Sequence, residues 1–132
     1  MTSSTPPTGP LEGYRILDLS TVLFGPYASQ ILGDWGADVI KIERLEGDGW
    51  RSAGQFRHRG MSGQFMAVNR NKRSLALDLK HPDGKAVLQR LVRTADVLVS
   101  NIRPAGLARL GFSYEDCRAL KPDLIYASAT GF

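Results

Sequence analysis

The feature that most constrains this chain is a regular alternation, from Leu11 onward, of short apolar runs with helix-like stretches. Arg15–Leu19 (RILDL), Asp38–Glu43 (DVIKIE), Ser74–Leu79 (SLALDL), Val97–Ser100 (VLVS) and Leu124–Ser128 (LIYAS) are each of strand length and bounded by turn residues. The intervening stretches predict a helix from Pro26 to Trp35, a short one over Ser62–Asn69, and one from His81-Pro82-Asp83 through Ala95. The last places Val87, Leu88, Leu91 and Val92 on one face. A loop with a short helix covers Ile102–Leu110. Ser113, with Asp116 three residues on, predicts a capped helix ending near Leu120. Such alternation implies parallel βαβ units. The expected class is therefore α/β, a Rossmann-like open, mainly parallel sheet with flanking helices.

Composition removes several function classes. One cysteine, Cys117, excludes a disulfide scaffold, and with only His58 and His81 beside it little remains for a zinc or transition-metal site. No apolar run is long enough to cross a bilayer. The net charge of +4 is mild and scattered, which suits an anionic small ligand as well as nucleic acid. A helix-turn-helix or aromatic RNA-binding signature is missing, so nucleic-acid binding ranks last. Residues 1–10 (MTSSTPPTGP) lack the charged start and apolar middle of a secretory signal. They read as a disordered tail, and a cytoplasmic location is the expectation.

Chemistry is sparse. The turn after the first strand, STVLFGP, carries Gly25 alone, so a dinucleotide fingerprint is absent, as are a phosphate-loop motif and G-x-S-x-G. Ser20, Ser62 and Ser74 have no histidine at a suggestive spacing. Asp18, Asp34, Asp38, Asp78 and Asp96 are formal acid–base candidates, but spacing pairs none of them. Basic residues are more informative. Arg70, Lys72 and Arg73 precede the predicted strand SLALDL and Lys80 ends it, while Arg103 and Arg109 follow VLVS. Arg44, Lys80 and Arg103 fall at or just past carboxyl ends of predicted strands, the edge where open α/β sheets bind ligands. Together they could hold phosphate by charge-assisted hydrogen bonds. The loop from Arg44 to Gly60 is long for a compact domain, which marks it as functional or mobile.

The segments GYRILDLSTVLFGP, LGDWGADVIKIER, NRNKRSLALDLKHPDGK, ADVLVSNIRPAGLARLGF and LIYASATGF resemble, in order, the start of the class III CoA-transferases. This family includes formyl-CoA, carnitine and benzylsuccinate CoA-transferases and is related to alpha-methylacyl-CoA racemase. The resemblance runs from Leu11 to Phe132. It implies that residues 11–132 form the CoA-binding N-terminal part of an enzyme moving CoA between an acyl-CoA thioester and a carboxylic acid. No permanently bound cofactor is implied, CoA or acyl-CoA being substrate. Residue by residue it implies that Leu23 and Phe24 face CoA and that Arg44 lies near the adenosine phosphates. By the same carry-over Leu77, Asp78, Leu79 and Lys80, with Asn101, Ile102 and Arg103, line the nucleotide, and Arg109 meets phosphate. The family's nucleophilic aspartate, like the racemase's histidine and aspartate, would lie beyond Phe132. The chain then resembles the first third of a member and is incomplete relative to the family's fold of two interlocked rings. Exposed apolar faces and marginal stability are expected. A racemase-like fragment and a non-catalytic nucleotide-binding module are the alternatives.

Overall fold

A computed structural model describes residues 8–131. Five strands, β1 (Arg15–Asp18), β2 (Asp38–Glu43), β3 (Lys72–Ala76), β4 (Val97–Ser100) and β5 (Ile125–Ser128), form one sheet in the order β3-β2-β1-β4-β5. All four pairings are parallel, with Asp18 beside Lys41 and Leu17 beside Leu98. Five helices connect them: α1 (Phe24–Asp34), α2 (Gly63–Ala67), α3 (Pro82–Val92), α4 (Pro104–Leu110) and α5 (Tyr114–Leu120). The Rossmann-like reading of the alternation therefore describes the observed sheet.

Side chains alternate across a strand, so neighbouring residues serve opposite faces. Leu17, Ile40, Ile42 and Leu98 point into a core closed by Leu88 and Val92 of α3, Leu107 of α4, and Phe112 and Cys117. Ile16, Val39 and Val99 serve the opposite face, where Ala37 and the half-buried Leu32 of α1 cover them. Local chemistry sets the helix ends. Ser113 accepts the N–H of Asp116 while the Asp116 carboxylate accepts the N–H of Ser113, the reciprocal box that the sequence predicts. Gly111, at φ 83°, ends α4 in the left-handed conformation that glycine adopts without penalty. A side chain at Gly25 would collide with Ser20, so glycine lets the first turn of α1 pack onto the end of β1.

Three sequence expectations need correction. The third strand is Lys72–Ala76, not Ser74–Leu79, so Lys72 and Arg73 belong to it and Lys80 follows four residues past its end. The apolar alternation runs on because Leu77 and Leu79 lie against the core from the loop. After the Leu77 N–H donates to the Glu43 carbonyl, the Asp78 carboxylate turns the chain by accepting the Lys80 N–H. The third helix stops at Val92, not Ala95, and the short second helix spans Gly63–Ala67, with Ser62 as its N-cap. Of the expected tail, residues 1–7 lie outside the described residues. At Gly9 the chain turns against Trp35 and Gly36. Among the described residues, no helix is long and apolar enough to cross a membrane.

Candidate functional site

At the carboxyl edge of the sheet a cavity of about 630 Å³ opens between the ends of β1, β2 and β4 and the loop after β3. Its floor is apolar, from Leu19, Ile42, Leu77, Leu79, Ile102 and Leu110. Its rim carries Arg44, Glu46, Asp78 and Lys80, all exposed. The volume and the combination of apolar floor with a few polar groups suit a small ligand. Mixed charge at the rim fits a nucleotide better than bare phosphate, because a nucleotide offers phosphate oxygens to cations and hydroxyl donors to carboxylates.

Six of the eleven residues singled out above line this cavity: Arg44, Leu77, Asp78, Leu79, Lys80 and Ile102. The other five do not. Arg103 caps the start of α4 three residues beyond β4, exposed and close in sequence to Ile102. Arg109 is exposed in the last turn of that helix. Leu23 and Phe24 begin α1, and Phe24 is 77% exposed. Asn101 is occupied: its amide nitrogen donates to the Thr21 carbonyl at 2.8 Å and its oxygen accepts the Thr21 N–H at 3.0 Å.

Four of the five acid–base candidates are tied into structural hydrogen bonds or ion pairs. Asp18 is buried and accepts hydrogen bonds from Ser20, Ser29 (2.6 Å) and Lys72 (2.9 Å). Burial alone would raise its pKa, yet Lys72, Lys41 and the two serine hydroxyls hold it below the ordinary carboxylate range. Asp34 pairs with Arg70, and Asp38 with Arg15 and Arg73. Asp96 accepts the Arg15 N–H at 2.7 Å. Arg70, Lys72 and Arg73 are therefore spent on carboxylates away from the cavity, and Asp78 is the aspartate of the five that lines it.

Sequence reasoning overlooked the buried charges in and behind the cavity wall. Lys41, in the middle of β2, is 1% exposed, and its ammonium donates to the Ser20 carbonyl at 2.8 Å and pairs with Asp48 at 3.1 Å. Glu43 accepts two bonds from Arg51 (2.6 and 2.7 Å), one from the Ser74 hydroxyl and one from the Asp48 N–H. Burial pushes the Glu43 carboxyl up, but these donors outweigh it and hold the pKa at about 2. The Arg51 guanidinium also lies 3.9 Å from the centre of the Phe65 ring. The first part of the long loop is thus pinned to β2. A signal existed: in a parallel sheet covered on both faces, a lysine and a glutamate inside a central strand must be buried and must find partners.

The family model described as CoA-transferase family III matches residues 11–132. The succinate–glutarate CoA-transferase of Agrobacterium fabrum is 48% identical over 130 residues, covering 93% of this chain and 32% of the relative. A formyl-CoA:oxalate CoA-transferase of Rhodopseudomonas palustris is 46% identical, covering 95% of this chain and 30% of its own length. The crystal structure of a CAIB/BAIF family protein from Brucella suis superposes with a TM-score of 0.90 at 41% identity, over 94% of this chain and 34% of that one. The chain spans about a third of the length of the relatives it matches. With the family model matching residues 11–132 and the fold shared at 41% identity, the chain belongs to CoA-transferase family III.

Proposed function

We propose that this chain is the CoA-binding part of a CoA-transferase that moves CoA between an acyl-CoA thioester and a carboxylic acid. The observation that carries the reading is the cavity at the carboxyl edge, with Arg44 and Lys80 on its rim above the apolar floor. The nucleotide end of CoA lies over Ile42, Leu77, Leu79 and Ile102, with its phosphates on Arg44 and Lys80 and Asp78 accepting from a hydroxyl. Arg103 and Arg109 extend the cationic edge along α4. Asn101 serves the site by holding Thr21, and Leu23 and Phe24 present apolar surface beside it.

None of the buried carboxylates acts as nucleophile on this reading, since Asp18, Glu43 and Asp48 are each committed to a buried or half-buried cation. The covalent step, attack of a carboxylate on the thioester, belongs to residues outside this chain. The active protein is an interlocked homodimer of longer chains, soluble in the cytoplasm, acting on acyl-CoA and an acceptor acid. It needs neither a permanently bound cofactor nor nucleic acid or a membrane. Isothermal titration of the chain with CoA tests the reading. Saturable binding is expected, weakened about tenfold, or about 1.4 kcal/mol, by Arg44→Ala and again by Lys80→Ala. A folded chain that takes up no CoA, or variants that bind as tightly as the parent, would overturn it.

A further inference from the structure

The turn joining β1 to α1 is held by hydrogen bonds at each of three successive residues. The Ser20 N–H donates to Asp18 and the Ser20 carbonyl accepts from Lys41. Asn101 holds both backbone groups of Thr21. The Val22 N–H donates to the Asp48 carboxylate, at 3.2 Å to the nearer oxygen. Val22 has φ 71°, in the left-handed region that β-branched residues avoid. A residue stays there only where its surroundings over-determine it. The residue is 44% exposed, so packing does not impose the conformation. What remains at Val22 is the bond to Asp48.

Asp48 is suited to that task. It is 3% exposed, its position is set by the Lys41 ammonium at 3.1 Å, and it also accepts the Trp50 N–H at 3.0 Å. Its own N–H donates to Glu43 at 2.9 Å, so the residue is anchored to β2 through both its backbone and its carboxylate. Thr21 and Asp48 both line the cavity. We infer that Asp48, seated on Lys41, is a positioning residue that clamps the Val22 turn in its left-handed form and so shapes the cavity wall before ligand arrives. This inference rests on the proposed CoA site for its functional consequence. The clamp itself is a property of the chain alone. Pre-forming the wall spares binding the cost of ordering it.

Two readouts on the full chain test the clamp. Amide hydrogen exchange needs no ligand: the Val22 N–H is expected to exchange slowly in the parent and at least tenfold faster in Asp48→Ala. Equal exchange rates would overturn the inference whatever CoA does. CoA titration then reads the consequence. Val22→Pro removes the N–H and forbids positive φ at an exposed position while leaving the Asp48–Lys41 pair intact, so it tests the turn even if Asp48→Ala folds poorly. Val22→Pro is expected to weaken CoA binding about tenfold, and Asp48→Ala comparably. Val22→Asn, whose side chain tolerates the left-handed region, is expected to restore most of the affinity lost in Asp48→Ala. A Val22→Pro chain that binds CoA like the parent, or a loss in Asp48→Ala that Val22→Asn leaves untouched, overturns the positioning role. If the parent binds no CoA, the CoA site falls and the exchange rates still decide the clamp.

Discussion

The two faces of the sheet solve burial in opposite ways. Beneath α3, α4 and α5, Leu17, Ile40 and Leu98 meet Leu88, Val92, Leu107 and Phe112 in a cluster of twelve buried apolar residues. Beneath α1 the buried apolar cluster has, among the described residues, four members, Ile16, Ala37, Val39 and Val99. Toward the carboxyl end that face turns ionic, with Asp18 paired to Lys72 and Lys41 to Asp48. Apolar burial is non-directional and scales with area, so the first face supplies cohesion without dictating where a loop goes. Ion pairs are costly to desolvate and worth keeping only in good geometry, so the second face fixes positions. It is the second face that holds the turn and the loop forming one wall of the cavity.

The sharpest way to break this contrast is to remove one member from each side. Lys41→Met leaves the Asp48 carboxylate buried without its cation, and a loss of about 3–5 kcal/mol is expected in urea unfolding. Leu88→Ala, at a fully buried position on the other face, is expected to cost about 3 kcal/mol by lost transfer energy and the cavity left behind. A Lys41→Met chain as stable as the parent would mean that the ionic face does not hold its loops as described.

Acid should separate the faces without mutation. The Glu43 pKa is depressed from 4.5 to about 2, so the stability it contributes is complete above pH 4.5 and is lost as pH falls through that window to about 2. The shift corresponds to roughly 3 kcal/mol. Unfolding curves between pH 6 and pH 3 are expected to show a loss that Glu43→Gln reduces, with Asp18 and Asp38, whose pKa values are also lowered, carrying the remainder. An identical pH dependence in that variant would assign the acid sensitivity elsewhere. The smallest effect expected lies outside both buried clusters: Ser113→Ala removes the reciprocal cap of α5 at an exposed helix start and should cost about 1 kcal/mol. Thermal unfolding reads it, and a loss as large as that of Leu88→Ala would mean the cap does more than start its helix.

How much of this could be read in advance differs from one segment to the next. DVIKIE and VLVS coincide with β2 and β4 because their apolar content and flanking turns are local properties. The capping box at Ser113 was equally visible, since both of its hydrogen bonds lie within four residues. SLALDL misled because alternation records contact with the core and not strand pairing, and Leu77 and Leu79 touch the core from a loop. Arg44 and Lys80, singled out at or just past predicted strand ends, line the cavity, whereas Arg103 and Arg109, chosen on similar grounds, stand outside it.

The order of elements, the parallel sheet and the family are legible along the chain, because hydrophobic period, turn chemistry and long matching segments are all local to it. Tertiary structure alone decided which charges are free and which are spent. Lys41 meets Asp48 across seven residues, Lys72 meets Asp18 across fifty-four, and Val22 meets Asp48 across twenty-six. Charges read along a chain carry no partner. A buried carboxylate selects one only when the sheet brings β1, β2 and β3 side by side and water is excluded, so that an unpaired charge becomes too costly to keep.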